Sequence, residues 1–559
     1  MTIQFNEDKQ RQKVEELREQ EEEGLAQVMS KKYGLPYIDL GVSPINIDAL
    51  RIIKEMEARE AEVACFNIIN KKISLAIVSP NDGKTMQLIE SLKDRGYTPL
   101  LFMASHQSLQ KVWDRYKDLS YSMETKGGAL DIANEEIQDL VKSVKTAPDI
   151  KKSIETVLAQ KKSYRISRIL EIILAGAISI NASDIHIEPE EDEVRLRYRL
   201  DGVLNDILNI DHGTYGLLLS RIKLISNLKL NIKGKAQDGR FSIKIEDTEI
   251  EIRTSLLPGG YGESVVLRVL NPNAISVPLE ELGINEKLLG IIMKELQKPN
   301  GMILNTGPTG SGKTTTLYAF LKKIHTPEIK IITIENPIEY HLKGIVQTQT
   351  EEENGYTFLE GLRSALRQDP DVIMVGEIRD EETAEIAINS ALTGHLVFST
   401  LHTNNAAGTF PRLIDLGVNP KVITSAINIA MAQRLLRKLC KKCKKKMTLG
   451  EKETKLIKDV TDSILDKSYL TGLDFGNVFE AVGCQECNFT GFKGRTGIYE
   501  AILTDEKIEM IVKENPSERE INKAAEGQGI LTMKQDGIIK IFQGITSFGE
   551  LRRVIDLGE

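Results

Sequence analysis

The sequence predicts a multidomain protein of the α/β class, and three observations support this prediction. The chain has 559 residues, which exceeds what one hydrophobic core usually organises, so roughly three to five domains are expected. Nearly continuous apolar segments between residues 301 and 399 alternate with helical patterns, as is typical of parallel strands covered on both faces. Residues 194–200 instead alternate strictly between apolar and basic side chains, which indicates a strand with one buried face.

The composition is that of a globular protein, with 41% hydrophobic and 28% charged residues. Residues 1–20 are acidic and polar, and the chain has no uncharged apolar run of about eighteen residues, so neither export nor membrane spanning is predicted. The formal net charge of -8 argues against nucleic-acid binding, which needs clustered Lys and Arg. We therefore expect no direct nucleic-acid partner.

The first part of the chain is predicted to form a small α/β domain followed by a linker. Residues 1–120 contain short apolar runs at Ile73–Val78 and Pro99–Met103 among helical patterns, and we interpret these runs as strands. Residues 121–150 lose aromatic and branched side chains and gain Lys, Glu, Asp and Gly, which is typical of a linker with some helix.

Residues 151–285 are predicted to form a second, mixed α/β domain. Its alternating strand places Arg195, Arg197 and Arg199 on one face, and we expect that face to be solvated or to meet another domain. Turn signals at Asp201-Gly202, at Asp238-Gly239 and at residues 258–260 separate further strand-like segments.

Residues 286–439 follow the order strand, glycine-rich turn, helix, strand, helix, strand, which predicts a domain built on a parallel sheet. The predicted strands are Gly301–Asn305, Lys330–Ile334, Asp371–Val375 and Leu396–Ser399.

The glycine-rich turn fits the phosphate-loop pattern GxxxxGK[ST], follows an apolar strand and opens a helix. Backbone N–H groups of such a loop surround phosphates, Lys313 would reach the β and γ phosphates, and Thr314 would bind Mg²⁺. The alternative, a chance glycine-rich turn, does not explain the flanking strand and helix. The predicted ATP site comprises Gly307, Pro308, Thr309, Gly310, Ser311, Gly312, Lys313, Thr314 and Thr315.

Acidic and histidine side chains follow three of the other predicted strands, where they would meet at the carboxyl edge of the sheet. Glu377 is predicted to position or activate the attacking water. Glu335 and Glu339 are predicted to orient water or metal, with solvated surface acids as the alternative. His402 is predicted to hydrogen-bond the γ-phosphate, with a packed or capping histidine as the alternative.

Further motifs lie before and after the phosphate loop. They occupy residues 182–188, 197–202, 237–240, 332–339, 366–380 and 392–404. In them the chain resembles the secretion ATPase superfamily, specifically the branch of type II secretion ATPases (GspE) and type IV pilus assembly ATPases (PilB). The resemblance covers about residues 160–559. It implies a RecA-like motor domain, preceded by a PAS-like domain, that hydrolyses ATP with Mg²⁺.

The resemblance also implies a homohexamer that works on an inner-membrane platform protein. Such a motor would be cytoplasmic, peripheral at the inner face of the plasma membrane, and would drive assembly of a type IV pilus or a type II secretion pseudopilus. By the same resemblance, Arg253 and Arg268 would close over the phosphates, with surface arginines on strands as the alternative. A pilus-retraction or conjugative secretion ATPase and a nucleotide-gated scaffold that does not cycle are the alternative functions.

The chain departs from the pattern of these relatives at Asn336 and in its N-terminal region, and from the pattern of many P-loop NTPases at Gly376. Asn336 stands where many relatives have Asp, so any metal role there passes to Glu335 or Glu339. Gly376 stands where many P-loop NTPases have Asp, a feature shared within the superfamily, so Thr314 and water would hold Mg²⁺. Residues 33–40 resemble the N-terminal domain of the GspE/MshE type, but the paired Arg-Leu-Gly-type repeats that bind cyclic di-GMP in some relatives are not found, and cyclic di-GMP control is not predicted.

Four of the five cysteines form two CxxC pairs, Cys440 with Cys443 and Cys484 with Cys487. Two such pairs offer four thiolates to one tetrahedral Zn²⁺, and the resemblance implies the same module. A redox CxxC is the alternative, but no thioredoxin pattern surrounds either pair. We therefore predict a tetracysteine zinc subdomain at residues 440–495 and a helical region at residues 496–559.

Overall fold

The computed structural model describes residues 21–558 except 41–42, 44, 51, 70, 119–121, 126–128, 133, 160–164, 246–247 and 273–276. The acidic segment at residues 1–20 lies outside the described residues. The chain divides into two compact units. One contains the residues up to Asp139 with Ser153–Ile173 and Gly216–Ile222, and the other contains Leu140–Lys152, Leu174–Tyr215 and the chain from Lys223 on. No helix among the described residues has both the length and the apolar character needed to cross a membrane.

The first unit contains a three-stranded sheet in the order β1-β2-β3, in which β1 and β2 are antiparallel and β2 and β3 are parallel. The strands are β1 Val63–Ile69, β2 Lys72–Ile77 and β3 Thr98–Met103, which confirms the two predicted strands. The helices are α1 (residues 21–33), α2 Ile47–Leu50, α3 Glu55–Glu60, α4 Gly83–Asp94 and α5 His106–Trp113. Helix α4 begins where the Asp82 carboxylate accepts the N–H groups of Lys84 and Thr85.

The segment interpreted as a linker contains regular structure. A two-stranded antiparallel sheet, β4 Ser122–Thr125 and β5 Ala129–Ile132, is followed by α6 Asn134–Ser143, α7 Ala147–Leu158 and α8 Arg165–Ser179. The assignment of residues 121–150 as a domain boundary stays a prediction.

A six-stranded antiparallel sheet forms the core of the predicted second domain, in the order β8-β7-β6-β11-β10-β9. Its elements are β6 Asp184–Pro189, β7 Val194–Leu200, β8 Val203–Ile210, α9 His212–Ile225, β9 Gln237–Ile245, β10 Thr248–Gly259 and β11 Gly262–Leu270. The apolar residues of β7 are buried, which confirms the predicted alternation. The arginines on its other face pair with acids, Arg195 with Glu190, Arg197 with Glu188 and Arg199 with Asp184.

A seven-stranded sheet forms the core of the C-terminal part, in the order β14-β13-β15-β16-β12-β17-β20. The strands of this part are β12 Gly301–Thr306, β13 Ile331–Glu335, β14 Val346–Gln349, β15 Val372–Val375, β16 Leu396–Leu401, β17 Ile427–Leu439, β18 Lys445–Lys446, β19 Phe479–Glu480 and β20 Phe492–Leu503. All neighbours in the seven-stranded sheet are parallel except β17 and β20. The four parallel strands predicted from the sequence are confirmed.

Helices cover both faces of this sheet, which explains why its central strands are apolar throughout. Ile303 packs into a core on one face, and Leu304, the next residue of β12, packs into a core on the other. The helices that precede the sheet along the chain or connect its strands are α10 Glu286–Glu295, α11 Lys313–Ile324, α12 Phe358–Leu366, α13 Glu381–Leu392, α14 Thr409–Asp415 and α15 Pro420–Ala426. The predicted fold class is confirmed.

The C-terminal region differs from the helical region predicted at residues 496–559, because it begins with most of strand β20. The buried residues Ile498, Ala501 and Ile502 belong to this strand, which pairs with β17 and so satisfies the N–H and C=O groups along its edge. The remaining helices are α16 Glu451–Asp462, α17 Glu506–Val512, α18 Glu518–Ala525, α19 Met533–Phe542 and α20 Phe548–Val554.

Candidate active site

The phosphate loop lies between the central strand β12 and helix α11, as the sequence predicts. Gly307 and Gly312 have φ values of 149° and 92°, in the region that side chains rarely occupy. A Cβ at Gly307 would lie 2.7 Å from the Gln433 carbonyl oxygen, and a Cβ at Gly312 would lie 2.8 Å from the Gln433 side-chain nitrogen. These two positions therefore require glycine, and the loop is fixed against strand β17.

Lys313 is the first residue of α11, and its ammonium group is held inside the loop. Nζ donates hydrogen bonds to the carbonyl oxygens of Gly307 at 2.7 Å and Pro308 at 3.2 Å. Burial lowers the pKa of Lys313, and the charge of Glu377 opposes that shift. A positive charge is thus placed where phosphate oxygens would enter the loop.

A cavity of about 560 Å³ adjoins the loop and brings most of the predicted site together. Its lining includes the predicted site residues Thr309 to Thr315, Glu335, Glu339, Glu377, His402 and Arg268. Gly307 and Pro308 lie behind this lining, where their carbonyl oxygens accept hydrogen bonds from Lys313. The carboxylates come from the ends of β13 and β15, beside the loop that follows β12, because neighbouring parallel strands end at the same edge.

Glu377 follows β15, and two side chains orient its carboxylate. Arg379 Nη2 lies 2.5 Å from Oε1, and His402 Nε2 lies 3.2 Å from Oε2. Each carboxylate oxygen thus has its own partner. This places His402 beside the predicted water-activating acid, at the end of β16.

Glu335 is the last residue of β13 and is buried among neutral donors. Its carboxylate accepts hydrogen bonds from Thr333 Oγ1 at 2.6 Å, from Gln347 Nε2 at 3.0 Å and from the Tyr318 hydroxyl. Burial raises the pKa of Glu335, and these hydrogen bonds oppose the shift. Glu339 lies four residues further along the chain and lines the same cavity.

The two arginines predicted to close the site occupy different places. Arg268 lines the cavity, and its Nε donates to Asp184 Oδ1 at 3.1 Å. Arg253 is not among the residues that line the cavity. It donates from Nη2 to the Ile338 carbonyl oxygen at 2.9 Å, and from Nε to Glu251. Arg253 therefore contacts the segment between Glu335 and Glu339.

The cavity is also lined by two arginines that sequence reasoning did not select, Arg379 and Arg495. Arg379 lies in the motif at residues 366–380, two residues after Glu377. This short spacing could have identified Arg379 as a site residue from the sequence. Arg495 is contributed by β20, and only the pairing of β20 with β17 brings it to the site. No local pattern marks it.

The four cysteines of the two CxxC pairs converge. Their sulfur atoms all lie within 4.8 Å of one another, and the Cys440–Cys484, Cys443–Cys487 and Cys484–Cys487 distances are each 3.8 Å. Four thiolates around a tetrahedral Zn²⁺ with bonds of about 2.3 Å would be separated by about 3.8 Å.

Backbone N–H groups support the same arrangement of sulfur atoms. Gly483 N–H points at Cys443 Sγ at 3.3 Å, and the N–H groups of Cys484 and Gly491 point at Cys487 Sγ at 3.2 and 3.3 Å. Such donors stabilise negative charge on sulfur. The donor set, its spacing and its surroundings therefore fit a structural zinc ion.

Comparisons of the chain with protein families and with known proteins give several matches. The family model described as Type II/IV secretion system protein matches residues 159–553, and the MshEN domain model matches residues 33–123. Type II secretion system protein E of Pseudomonas aeruginosa is 42% identical over 434 residues, covering 77% of this chain and 81% of that protein. Type IV pilus assembly ATPase PilB of Myxococcus xanthus is 33% identical over 537 residues, covering 95% of this chain and 91% of that protein. The solved structure of the ATPase DotB of Legionella pneumophila is 23% identical with a TM-score of 0.49, covering 69% of this chain and 95% of that chain.

Proposed function

Because the chain belongs to the Type II/IV secretion system protein family, we propose that it is an ATP-hydrolysing motor for assembly of a type IV pilus or a type II secretion pseudopilus. The observation that supports this most directly is the shared cavity of the phosphate loop, Glu335, Glu339 and Glu377. A loop alone would suffice to bind nucleotide. Carboxylates arranged beside it are what hydrolysis requires, since water must be oriented toward the γ-phosphate.

ATP, when bound, supplies the phosphoryl group whose transfer to water releases free energy. The loop N–H groups would bind its phosphate oxygens together with the start of helix α11. Lys313 would exchange its bonds to the carbonyls of Gly307 and Pro308 for bonds to phosphate. An ammonium group binds an anionic phosphate oxygen more strongly than a neutral carbonyl oxygen, because both partners are then charged, so this exchange favours the bound state.

Glu377 is proposed to position or activate the attacking water. Arg379 and His402 fix its two carboxylate oxygens, so the base needs little reorganisation when water enters. His402 would in addition hydrogen-bond the γ-phosphate. Loss of that phosphate would then remove a hydrogen bond from His402, and His402 contacts Glu377.

Magnesium has suitable ligands in the same cavity. The Thr314 hydroxyl follows Lys313 at the start of α11 and would bind Mg²⁺, which prefers oxygen ligands and retains several waters. Glu335 and Glu339 line the same space and would bind those waters. Magnesium, when bound, would supply positive charge that offsets the negative charge of the phosphates.

Cys440, Cys443, Cys484 and Cys487 are proposed to hold one Zn²⁺, which stabilises the local fold. The residues between the pairs form helix α16 and the short sheet β18-β19. Because such a site rarely exists in the unfolded chain, the free energy of zinc binding would add to the stability of the folded region.

The motor is proposed to work as a homohexamer on an inner-membrane platform protein. It would be cytoplasmic and held at the inner face of the plasma membrane by that partner. Arg253 and Arg268 are proposed to close the preceding domain over the phosphates, and their release after hydrolysis would move that domain.

Two measurements on the purified full-length chain test the proposal. Steady-state phosphate release with Mg²⁺ should show turnover, and calorimetry with a non-hydrolysable ATP analogue should show binding; Lys313→Ala should lose both. Binding without turnover would instead identify a nucleotide-gated scaffold. Absence of binding by the wild type would remove the motor proposal.

The direction of the machine is tested in cells that carry the system. Deletion of the gene should abolish the surface fibre or secretion, as expected of an assembly motor. Accumulation of excess fibres after deletion would instead identify a retraction motor.

A further inference from the structure

One row of charged residues crosses five neighbouring strands of the six-stranded sheet. Residues directly opposite each other in antiparallel strands lie on the same face, and the pairing of β7, β6, β11, β10 and β9 aligns Arg199, Asp184, Arg268, Arg253 and Arg240 in this order. Like charges directly opposite each other are destabilising. The row therefore contains four arginines and one carboxylate, and that carboxylate contacts Arg199 and Arg268.

Asp184 divides its carboxylate between two of these arginines. Oδ1 accepts from Arg268 Nε at 3.1 Å, whereas Oδ2 lies 3.2 Å from Arg199 Nε and accepts from Ser183 Oγ at 2.9 Å. The Asp184 side chain is only 8% exposed. A buried carboxylate that lost every partner would carry a large desolvation cost, but Asp184 would keep two partners if Arg268 left.

The two arginines are held very differently. Arg199 also donates to the Gly202 carbonyl oxygen at 3.3 Å and lies 3.3 Å from His186 Nε2. Arg268, by contrast, is 59% exposed and lines the cavity together with Lys313 and Thr314. Arg199 is thus the partner of Asp184 that further contacts hold in place, and Arg268 is the more exposed partner beside the cavity.

We propose that Asp184 is a positioning residue that competes with the γ-phosphate for Arg268. Asp184 holds the guanidinium at the edge of the cavity between turnovers and recovers it after phosphate release. Arg199 and Ser183 keep the carboxylate paired while Arg268 is away. This inference rests on the proposed function, because it needs ATP to bind in the cavity.

The test replaces the carboxylate with a neutral amide of the same shape, Asp184→Asn, in the full-length protein. Because the competitor for Arg268 is weakened, the dissociation constant for a non-hydrolysable ATP analogue with Mg²⁺ should fall about threefold, as expected for loss of a partly exposed ion pair. The kcat for phosphate release should fall as well, because Arg268 is not recovered from the product. A merely structural defect would weaken nucleotide binding instead.

Two further variants assign the effect to Arg268. In an Arg268→Ala background, Asp184→Asn should leave the dissociation constant unchanged, since no guanidinium remains to be released. Glu188→Gln removes the same charge from the same face of β6 but from the partner of Arg197, and should also leave it unchanged. Should Asp184→Asn lower the melting temperature, Asp184→Ser provides the same readout.

Equal or weaker binding in a folded Asp184→Asn variant would overturn the proposal, and so would a gain in affinity that persists without Arg268. Absence of analogue binding by the wild type would refute the ATP motor itself. The two failures are therefore distinguishable.

Discussion

At the residue scale, the contacts of Glu377 are separate from those of the phosphate loop. Its carboxylate contacts Arg379 and His402, whereas the hydrogen bonds of Lys313 are made to the loop itself. A change at Glu377 should therefore leave the phosphate loop in place.

The first prediction follows from this separation. Glu377→Gln should lower kcat for phosphate release at least about a hundredfold, as expected for loss of a general base, because an amide cannot accept the proton of water. The dissociation constant for an ATP analogue should stay within a few-fold of the wild type, as measured by calorimetry. Retained hydrolysis would remove Glu377 from this role.

A second prediction concerns the buried Glu335. Burial raises its pKa above the ordinary value of about 4.3, so between these two values the folded state binds more protons than the unfolded state. Glu335 should then contribute a decrease in the free energy of unfolding as pH rises from about 4.3 through the raised pKa, and Glu335→Gln should lack this contribution. Thermal unfolding of both proteins across this pH range measures the difference.

Tyr318→Phe provides a matched comparison for this effect. The Tyr318 hydroxyl donates to Glu335 and so opposes the rise of its pKa. Removing the hydroxyl should extend the decrease in stability to higher pH. A pH-independent difference between wild type and Glu335→Gln would show that burial does not control this carboxyl.

The sequence predicted which residue types meet at the site but not how they pair. Glu377, Glu335 and Lys313 could be placed because each follows a recognisable strand or motif. The role of Asp184 as a partner of both Arg199 and Arg268 could not be predicted, because it depends on the register of three strands. Local patterns specify faces of strands, whereas register is set by the whole sheet.

At the element scale, the two CxxC turns lie at the two ends of the region between β17 and β20 and bring these ends together. The third prediction is that the purified protein contains about one Zn²⁺ per chain, and that the double variant Cys443→Ser, Cys487→Ser contains none. Its melting temperature should also fall, since metal binding contributes to folding. Metal analysis and thermal unfolding are the measurements.

Cys65→Ala is the matched control for this prediction. Cys65 is buried in the first unit, away from the two CxxC pairs in sequence, so the variant should retain its zinc. A wild-type protein without zinc, purified without chelator, would contradict the assignment.

Element prediction from the sequence succeeded where burial leaves a simple signature. Central strands covered on both faces have continuous apolar runs, and β7 alternates between apolar and basic residues. Both patterns can be recognised in the sequence, so these strands were predicted. Strand β20 was missed because Arg495, Thr496 and Gly497 interrupt its apolar pattern, and its strand character comes from pairing with β17. Long-range pairing of this kind is not encoded in a local window.

At the scale of the whole molecule, the proposed hexamer makes the chains interdependent. The fourth prediction is that Glu377→Gln chains inhibit wild-type chains when the two are mixed and allowed to exchange. If one inactive chain stalls a ring of six, a mixture with one third variant should retain roughly a tenth of the activity rather than two thirds. Phosphate release across mixing ratios tests this, and a linear decrease would show that the chains work independently.

Strand β17 links two parts of the protein that have separate chemistry. Its first half pairs with the phosphate-loop strand β12, it carries Gln433 against the loop glycines, and Cys440 follows its last residue, Leu439. A strand of thirteen residues has a contour length of about 40 Å, and it is paired with β12 over its first half and with β20 from Ile429 to Leu439. A strand paired in this way would carry a small tilt at the nucleotide end to the cysteine end as a sideways displacement that grows with the length of the strand.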